Sequence, residues 1–527
     1  MTFFRLALAC IVPIYAAGSL SAQAPGQTPA PAQRVISADL NNIQGPRDMA
    51  WQECVGSGHA ALLLSPANLQ QMARVEQEIG FHFVRFHGLL TDDMNVYRET
   101  NGVPSYDFTR IDALYDSLLH IGVKPFVEFG FMPNALASGK QEIFYWHANV
   151  TPPKDIDRWA DLVKALTRHL QDRYGAAEVK TWRFEVWNEP NYPGFWPNAD
   201  QAAYFKLYDA TASAVKSVNP DFKVGGPATA GASWVPEFLA HLHQVHGSVD
   251  FVSTHTYAVS SGFLDADGNA DLVLSSSPDA ISGDVERVHQ QIQASYRPTL
   301  PLDITEWSAS YSSRDPVHDS YTSAAFVLEK LKQTEGLASA MSYWTYSDLF
   351  EENGPPPAAF HGGFGLLTRD NIPKATYFAY KYLNQLGPTQ LKNGDAESWI
   401  TRNGDAVQAL VWSYAPLTQS EGNKAFYRRL HPAQSVAPVD LKLSGLRPGR
   451  YRLTVHRTGF GHNDAYSAWI DMGLPKDLTP AQLTALDHLV EDAPESSVEV
   501  TIDPSGRLER RLGMLQNDIV LVSMERE

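Results

Sequence analysis

From Phe81 to about Gln385 the chain alternates two kinds of apolar pattern. Short continuous runs such as Phe81-His-Phe-Val-Arg-Phe-His87 and Val123-Lys-Pro-Phe-Val-Glu-Phe129 each end at a glycine and predict buried strands. Between them, apolar residues recur every three or four positions. Phe108, Ile111, Leu114 and Leu118 share one face of a helix predicted over Asp107–Ile121, with Gly122 as its stop. Asp155 caps a second helix through Trp159, Leu162, Val163, Leu166 and Leu170, ended by Gly175. Further strands are predicted at Trp182–Glu189, Phe222–Gly226, Val249–His255, Leu302–Glu306 and Ala338–Tyr346, with helices at Asp200–Val218 and Tyr377–Leu383. A strand near Trp51–Cys54 brings the count to about eight. Alternating β and α units imply parallel strands, and eight of them closing on themselves make an α/β fold of the (β/α)8 TIM barrel type.

After Leu386 the pattern changes to short alternating strands at Ala406–Ser413, Val439–Leu443, Arg450–Val455, Ser497–Ile502 and Asp518–Ser523. Turn signals such as Asn403-Gly404 and Arg447-Pro448-Gly449 separate them. This predicts a C-terminal antiparallel β-sandwich, joined by an N-terminal strand near Val35–Asp39. The organisation expected is an export signal at 1–24, a Pro/Ala/Gln-rich leader at 25–33, a barrel at 34–386 and a sandwich at 387–527. The signal is read from Arg5, the apolar run Leu6–Ala17 and the small-x-small site Ala22-Gln-Ala24, which together predict a periplasmic or extracellular destination. That run is too short and interrupted to span a bilayer. Its removal leaves Cys54 as the single cysteine, with no internal disulfide to form.

Composition narrows the partners. At 527 residues two domains are expected, and a net charge of −17 argues against nucleic acid or an anionic membrane. Twelve Trp and 22 Tyr supply aromatic faces of the kind that stack on sugar rings. No G-x-S-x-G elbow, His-Glu-x-x-His pair, P-loop or dinucleotide fingerprint is present, so no cofactor or metal is called for.

The chemistry concentrates at strand ends. Trp182-Arg-Phe-Glu-Val-Trp-Asn188-Glu189-Pro190 is an apolar strand terminating in a carboxylate, and Leu302-Asp-Ile-Thr-Glu306-Trp307 is a second. Such a charge is too costly to leave unpaired in a core and belongs in a site. In a barrel the fourth and seventh strands face each other across the mouth, so Glu189 and Glu306 form a pair roughly 5–5.5 Å apart, the spacing of a retaining glycosidase. Glu189 is expected to be the acid/base, its pKa raised by the neighbouring anion and by partial burial. Glu306 is expected to be the nucleophile, and Asn188 to bond the sugar 2-OH. His87, His255, Tyr257 and Trp344 fall at the same ends of other strands.

These segments resemble the glycoside hydrolases of family 39, the β-xylosidase and α-L-iduronidase family. The resemblance rests on Phe184-Glu-Val-Trp-Asn-Glu-Pro-Asn191 with Phe195-Trp196, Cys54-Val-Gly-Ser-Gly-His59, Phe86-His-Gly-Leu-Leu90, His255-Thr-Tyr257, Thr305-Glu-Trp307 and Phe360-His-Gly-Gly-Phe-Gly365. It implies retaining exo-hydrolysis with Glu189 as acid/base and Glu306 as nucleophile. It also implies sugar contacts from His87, Asn188, His255, Tyr257, Tyr311, Trp344, Glu351 and Glu352, and a loop at Gly459–Gly473 sent from the sandwich toward the barrel.

Glu351 and Glu352 would repel a uronate and accept from neutral hydroxyls, which favours xylose as the sugar removed from small oligosaccharides. The alternatives are another glycosidase of the same family (iduronidase-like, arabinopyranosidase or exopolysaccharide hydrolase) and a carbohydrate-binding protein without turnover.

Overall fold

The structure is a computed structural model that describes residues 33–264 and 270–527. The predicted signal at 1–24 and nearly all of the 25–33 leader lie outside the described residues.

Eight parallel strands close into a barrel: β1 (Cys54–His59), β2 (Phe83–His87), β3 (Lys124–Phe129), β4 (Arg183–Val186), β5 (Lys223–Thr229), β6 (Phe251–Tyr257), β7 (Leu302–Ser308) and β8 (Ala340–Tyr343). Closure is made by Tyr343 of β8 opposite Val55 of β1. Every residue of β2 and of β7 is buried, which is why these strands read as continuous apolar runs rather than as alternating ones. Helices cover the outside. Asp155 accepts from the N–H groups of Asp157 and Arg158 to start the helix Ile156–Tyr174, whose buried face is Trp159, Leu162, Val163, Leu166 and Leu170. Each such buried side chain stabilises the fold by about 1.5–3 kcal/mol relative to exposure.

Several features differ from expectation. Trp51 is not in a barrel strand: Ala50–Glu53 is a single helical turn, opened by Asp48 accepting from Ala50 N at 2.8 Å. The Trp51 ring packs instead on Phe81 and Tyr380 at centroid distances of 6.5 and 6.1 Å, and the first barrel strand starts at Cys54. Glu306 does not terminate its strand, because β7 continues to pair with β6 through Ser308 after a register shift beside His255. A hairpin of Val259–Leu264 with Ala270–Leu274, unforeseen in the sequence, follows β6.

The second domain holds a seven-stranded antiparallel sheet and a three-stranded sheet over a shared core of Ile36, Ile400, Val411, Leu441, Leu453 and Val520. Arg34–Asp39 joins it, but runs parallel to Val439–Ser444. A helix at Ala465–Asp471 reaches the barrel, where Tyr466 and Trp469 pack on Phe360 at 5.6 and 5.5 Å. Among the described residues no helix is long and apolar enough to cross a membrane.

Candidate active site

The C-terminal ends of the barrel strands converge on a polar cluster. Val186 ends β4, and the chain then turns sharply, with Trp187 at φ 70° and Glu189 at φ 45°. Such left-handed conformations cost about 1–3 kcal/mol each in non-glycine residues and gather at functional sites. Here the turn is held by Trp187 N donating to Phe129 O at 3.2 Å and Glu189 N donating to Ala228 O at 2.8 Å. The result points the Glu189 carboxyl into the barrel mouth.

His255, from β6, lies between the two predicted carboxylates. Its Nδ1 is 2.9 Å from Oε1 of Glu189 and 3.6 Å from Oε2 of Glu306. One oxygen of Glu189 lies within 4.8 Å of one of Glu306. Among the described residues these three side chains are also the one group with spacing suited to a metal ion. Their oxygens are engaged in hydrogen bonds: Glu306 accepts from Arg85 and Tyr257, and Glu189 shares its proton with His255.

The two carboxyls sit in different surroundings. Burial pushes Glu189 up to about 7, with the Glu128 charge adding to the rise while His87 and Arg85 oppose it. Burial therefore leads, and the anion that adds to the rise is Glu128 rather than the expected Glu306. Glu306 instead receives two strong donors, Arg85 Nη1 at 2.7 Å on Oε1 and Tyr257 OH at 2.7 Å on Oε2. Burial and the Glu306 charge keep the Tyr257 phenol protonated, so it stays a donor. Burial also pushes His87 and His255 down to about 4, leaving both rings neutral near pH 7.

The sequence reading missed the centre of this network. Arg85 on β2 is fully buried and donates to Glu185 on β4 at 2.5 Å, to Glu306 on β7 at 2.7 Å and to Asn188 at 2.9 Å, with Glu128 on β3 at 2.8 Å. His87 bonds Glu128 through Nδ1 at 2.8 Å and leaves Nε2 3.6 Å from Glu306. Trp344 lies beneath, its ring 5.6 Å from the Arg85 guanidinium carbon and 4.9 Å from the His87 ring. Gly56 is required there, since a Cβ would come within 2.2 Å of Trp344. Phe131, Phe144 and Trp146 add an aromatic wall, with Phe144 stacked on Trp146 at 5.4 Å and facing His87 at 6.0 Å.

Tyr311 is 58 % exposed at the rim, its ring centroid 6.2 Å from that of Tyr257 in a T-shaped pair. Glu352 is close enough to the pair for its carboxyl to be raised well above the usual range, by burial first and then by the charges of Glu306 and Glu189. Glu351 is partly buried beside it, and its backbone carbonyl accepts from Gly354 N at 3.2 Å to close the turn.

A parallel barrel with two juxtaposed carboxyls at its C-terminal mouth, one held neutral and one held by cationic and phenolic donors, defines a glycoside hydrolase. Residues 35–509 match the family described as Glycosyl hydrolases family 39, and the chain belongs to it. It is 41 % identical over 494 residues to a β-xylosidase of Caldicellulosiruptor saccharolyticus, covering 93 % of this chain and 98 % of that one. A β-xylosidase of Geobacillus stearothermophilus is 39 % identical over 484 residues, covering 90 % and 92 %. Among solved structures, a monomeric β-xylosidase from Caulobacter crescentus CB15 superposes with a TM-score of 0.92 at 49 % identity, covering 94 % of this chain and 99 % of that one.

Proposed function

We propose that the protein is an exported, retaining exo-β-xylosidase that removes xylose from the non-reducing ends of xylo-oligosaccharides. The observation that carries the mechanism is the approach of Glu189 and Glu306 to within 4.8 Å around His255. That gap suits direct attack on the anomeric carbon. Inverting enzymes separate their carboxyls by about 6.5–9.5 Å to admit a water.

In the first step Glu306, oriented by Arg85 and Tyr257, attacks C1 and forms a glycosyl ester while Glu189 gives its proton to the leaving oxygen. In the second, Glu189 takes a proton from water, which attacks C1 and releases Glu306. Asn188 turns its Oδ1 toward Arg85, so its amide N–H groups remain for the sugar 2-OH. His255 Nε2 is buried without a protein partner and offers an acceptor or donor to another hydroxyl.

A neutral sugar fits this site better than a uronate. Each nitrogen of Arg85 already faces a carboxylate, and Glu352 stands beside the pair. Arg369, the basic residue nearest in sequence to that loop, is committed to Asp477 and the carbonyls of Pro356 and Lys476. Relatives named β-xylosidase at 39–41 % identity support the same choice.

The test is release of 4-nitrophenol from the β-D-xyloside. Glu306→Ala should lose at least about 10³-fold in kcat, and azide should restore turnover to Glu189→Ala on this activated substrate. Wild-type turnover by Glu306→Ala would end the mechanism. Export rests on the leader alone, and N-terminal sequencing of protein recovered outside the cytoplasm should begin at Pro25.

A further inference from the structure

The loop that follows β3 covers one sector of the barrel mouth. Glu142 and Ile143 pair with Asn149 and Ala148 in a short hairpin, with residues 144–147 at its tip. The hairpin is held on both flanks. Gln141 Nε2 donates to the carbonyl of Pro193 at 2.7 Å, just beyond the turn that carries Glu189. Tyr145 N donates to the carbonyl of Glu352 at 2.8 Å, on the loop after β8. The tip contains two left-handed residues, Phe144 at φ 64° and His147 at φ 55°. Non-glycine residues keep that conformation only where their surroundings impose it.

From β3 the tip reaches across three neighbouring strands. Phe144 faces His87 at the end of β2, with ring centroids 6.0 Å apart. Trp146 stacks flat on His59 at the end of β1, at 4.4 Å and 10° between planes. The Tyr145 ring lies against Gly354 in the loop after β8, where an added Cβ would stand 3.4 Å from Cδ2. A backbone hydrogen bond and three ring contacts thus join β3 to β8 over the ends of β2 and β1.

A longer glycone would have to pass through that sector. Glu189 gives its proton to the leaving oxygen, so the leaving group lies on the side of β4. In a 1,4-linked pyranose O4 lies across the ring from C1, so the non-reducing end points away from Glu189. Around the closed barrel β8 stands four strands from β4, directly opposite. On the β4 and β7 side the rim residues Tyr192 and Tyr311 are 53 % and 58 % exposed, where the remainder of the substrate chain can leave. We infer that residues 144–147, clasped to the Glu352 loop, stop the glycone at one ring, and that this wall restricts the enzyme to single sugars at chain ends. This deepens the exo-glycosidase reading of the main site and rests on it.

Hydrolysis of 4-nitrophenyl β-xylobioside separates the two modes. A one-ring glycone yields xylose and leaves the nitrophenyl xyloside, whereas a two-ring glycone yields xylobiose and nitrophenol in a single step. At substrate too dilute for sugar transfer, wild type should give xylose as its initial sugar and nitrophenol only after a lag. Replacing residues 144–147 by Asn-Gly keeps Ile143 paired with Ala148 through a two-residue turn. That protein should raise the initial ratio of xylobiose to xylose at least about tenfold. Tyr145→Gly/Trp146→Ala, at full loop length, should raise it too, and decides the matter if the shortened loop does not fold. A product ratio within one protein is not imitated by a general loss of rate. Xylobiose as an initial product of wild type, or an unchanged ratio in an active variant, overturns the inference alone. A wild type that cleaves neither this substrate nor the aryl xyloside removes the glycosidase reading, and the inference with it.

Discussion

Arg85 Nη1 donates to Glu306 Oε1 at 2.7 Å, with the guanidinium fully buried and the carboxylate 6 % exposed. The same cation faces Glu185 and Glu128, so it sets the position of the nucleophile relative to two other strands. Breaking a buried pair by removing one partner costs about 3–5 kcal/mol, because the remaining charge is stranded. Lysine at this place keeps the charge but cannot present three nitrogens in one plane. Arg85→Lys should therefore lower kcat/KM by about 100-fold or more and lower the thermal midpoint, and Arg85→Met should do worse on both. Steady-state kinetics and thermal denaturation of the two variants check this. An Arg85→Lys protein indistinguishable from wild type would remove Arg85 from the mechanism.

The rise of Glu189 to about 7 fixes the basic limb of the pH profile. The acid form is required for leaving-group protonation and is present below that value. On an unactivated xylo-oligosaccharide kcat/KM should fall about tenfold per pH unit above pH 7. Stability follows the same proton. Between the ordinary glutamate value of 4.5 and about 7, the folded chain keeps a proton that the unfolded chain has released. The contribution of this group is thus complete below pH 4.5 and lost as pH rises to 7. Denaturation midpoints of Glu189→Gln should fall less steeply than those of wild type across that window, and parallel slopes would contradict the assignment.

Tyr257 and Tyr311 touch each other and are expected to differ in effect. The Tyr257 hydroxyl donates to Glu306 Oε2 at 2.7 Å, while Tyr311 is 58 % exposed and bonds neither carboxylate. A hydrogen bond to a charged group is worth about 1.5–3 kcal/mol. Tyr257→Phe should lower kcat about 10- to 100-fold. Tyr311→Phe should leave kcat within about twofold, and Tyr311→Ala should act on KM through the rim alone. A kinetic comparison of the three variants decides the matter, and equal losses at both positions would contradict the geometry.

How much of this was readable in the chain depends on what each residue's signal required. Glu189 and Glu306 stand out because a carboxylate closing or interrupting an apolar strand has no place in a core. Arg85, Glu128 and Glu185 carry a similar signal, a lone charge flanked by aromatics or valine. To see that they meet requires the register that sets Glu185 opposite Glu128 across β4 and β3, and register is a property of the closed barrel. The positive φ of Trp187 and Glu189 was hidden because neither residue type advertises it. Trp51 misled for the opposite reason: an aromatic before a buried Cys-Val pair looks like strand, yet the chain first makes a helical turn at Ala50–Glu53, where Ala50 N donates to Asp48.

The Phe360-His-Gly-Gly-Phe-Gly365 segment supports the site from behind. Lys374 is buried against Asp319 at 2.5 Å and Asp348 at 2.7 Å, and donates to Gly363 O at 2.8 Å. Asp348 also accepts from Gly365 N at 2.7 Å, and Asp319 from Gly362 N at 2.6 Å. The carboxylates are thus satisfied by backbone as well as by lysine, and they tie the glycine loop to the segment that leads to Glu352. There is no room for a side chain: a Cβ on Gly363 would lie 2.2 Å from Asp348 Oδ1 and 2.9 Å from His361 Cε1. Gly363→Ala must displace Asp348 from Lys374, at about 1–3 kcal/mol for the overpacking alone. It should lower the denaturant midpoint and raise KM, since the displaced loop carries Glu352. Lys374→Met should destabilise more, leaving two buried carboxylates facing each other. Because both changes break the same contact, the double variant should be less destabilised than the sum of the singles. Denaturant titration of the four proteins measures that coupling, and strict additivity would show that the glycine and the lysine do not act through Asp348.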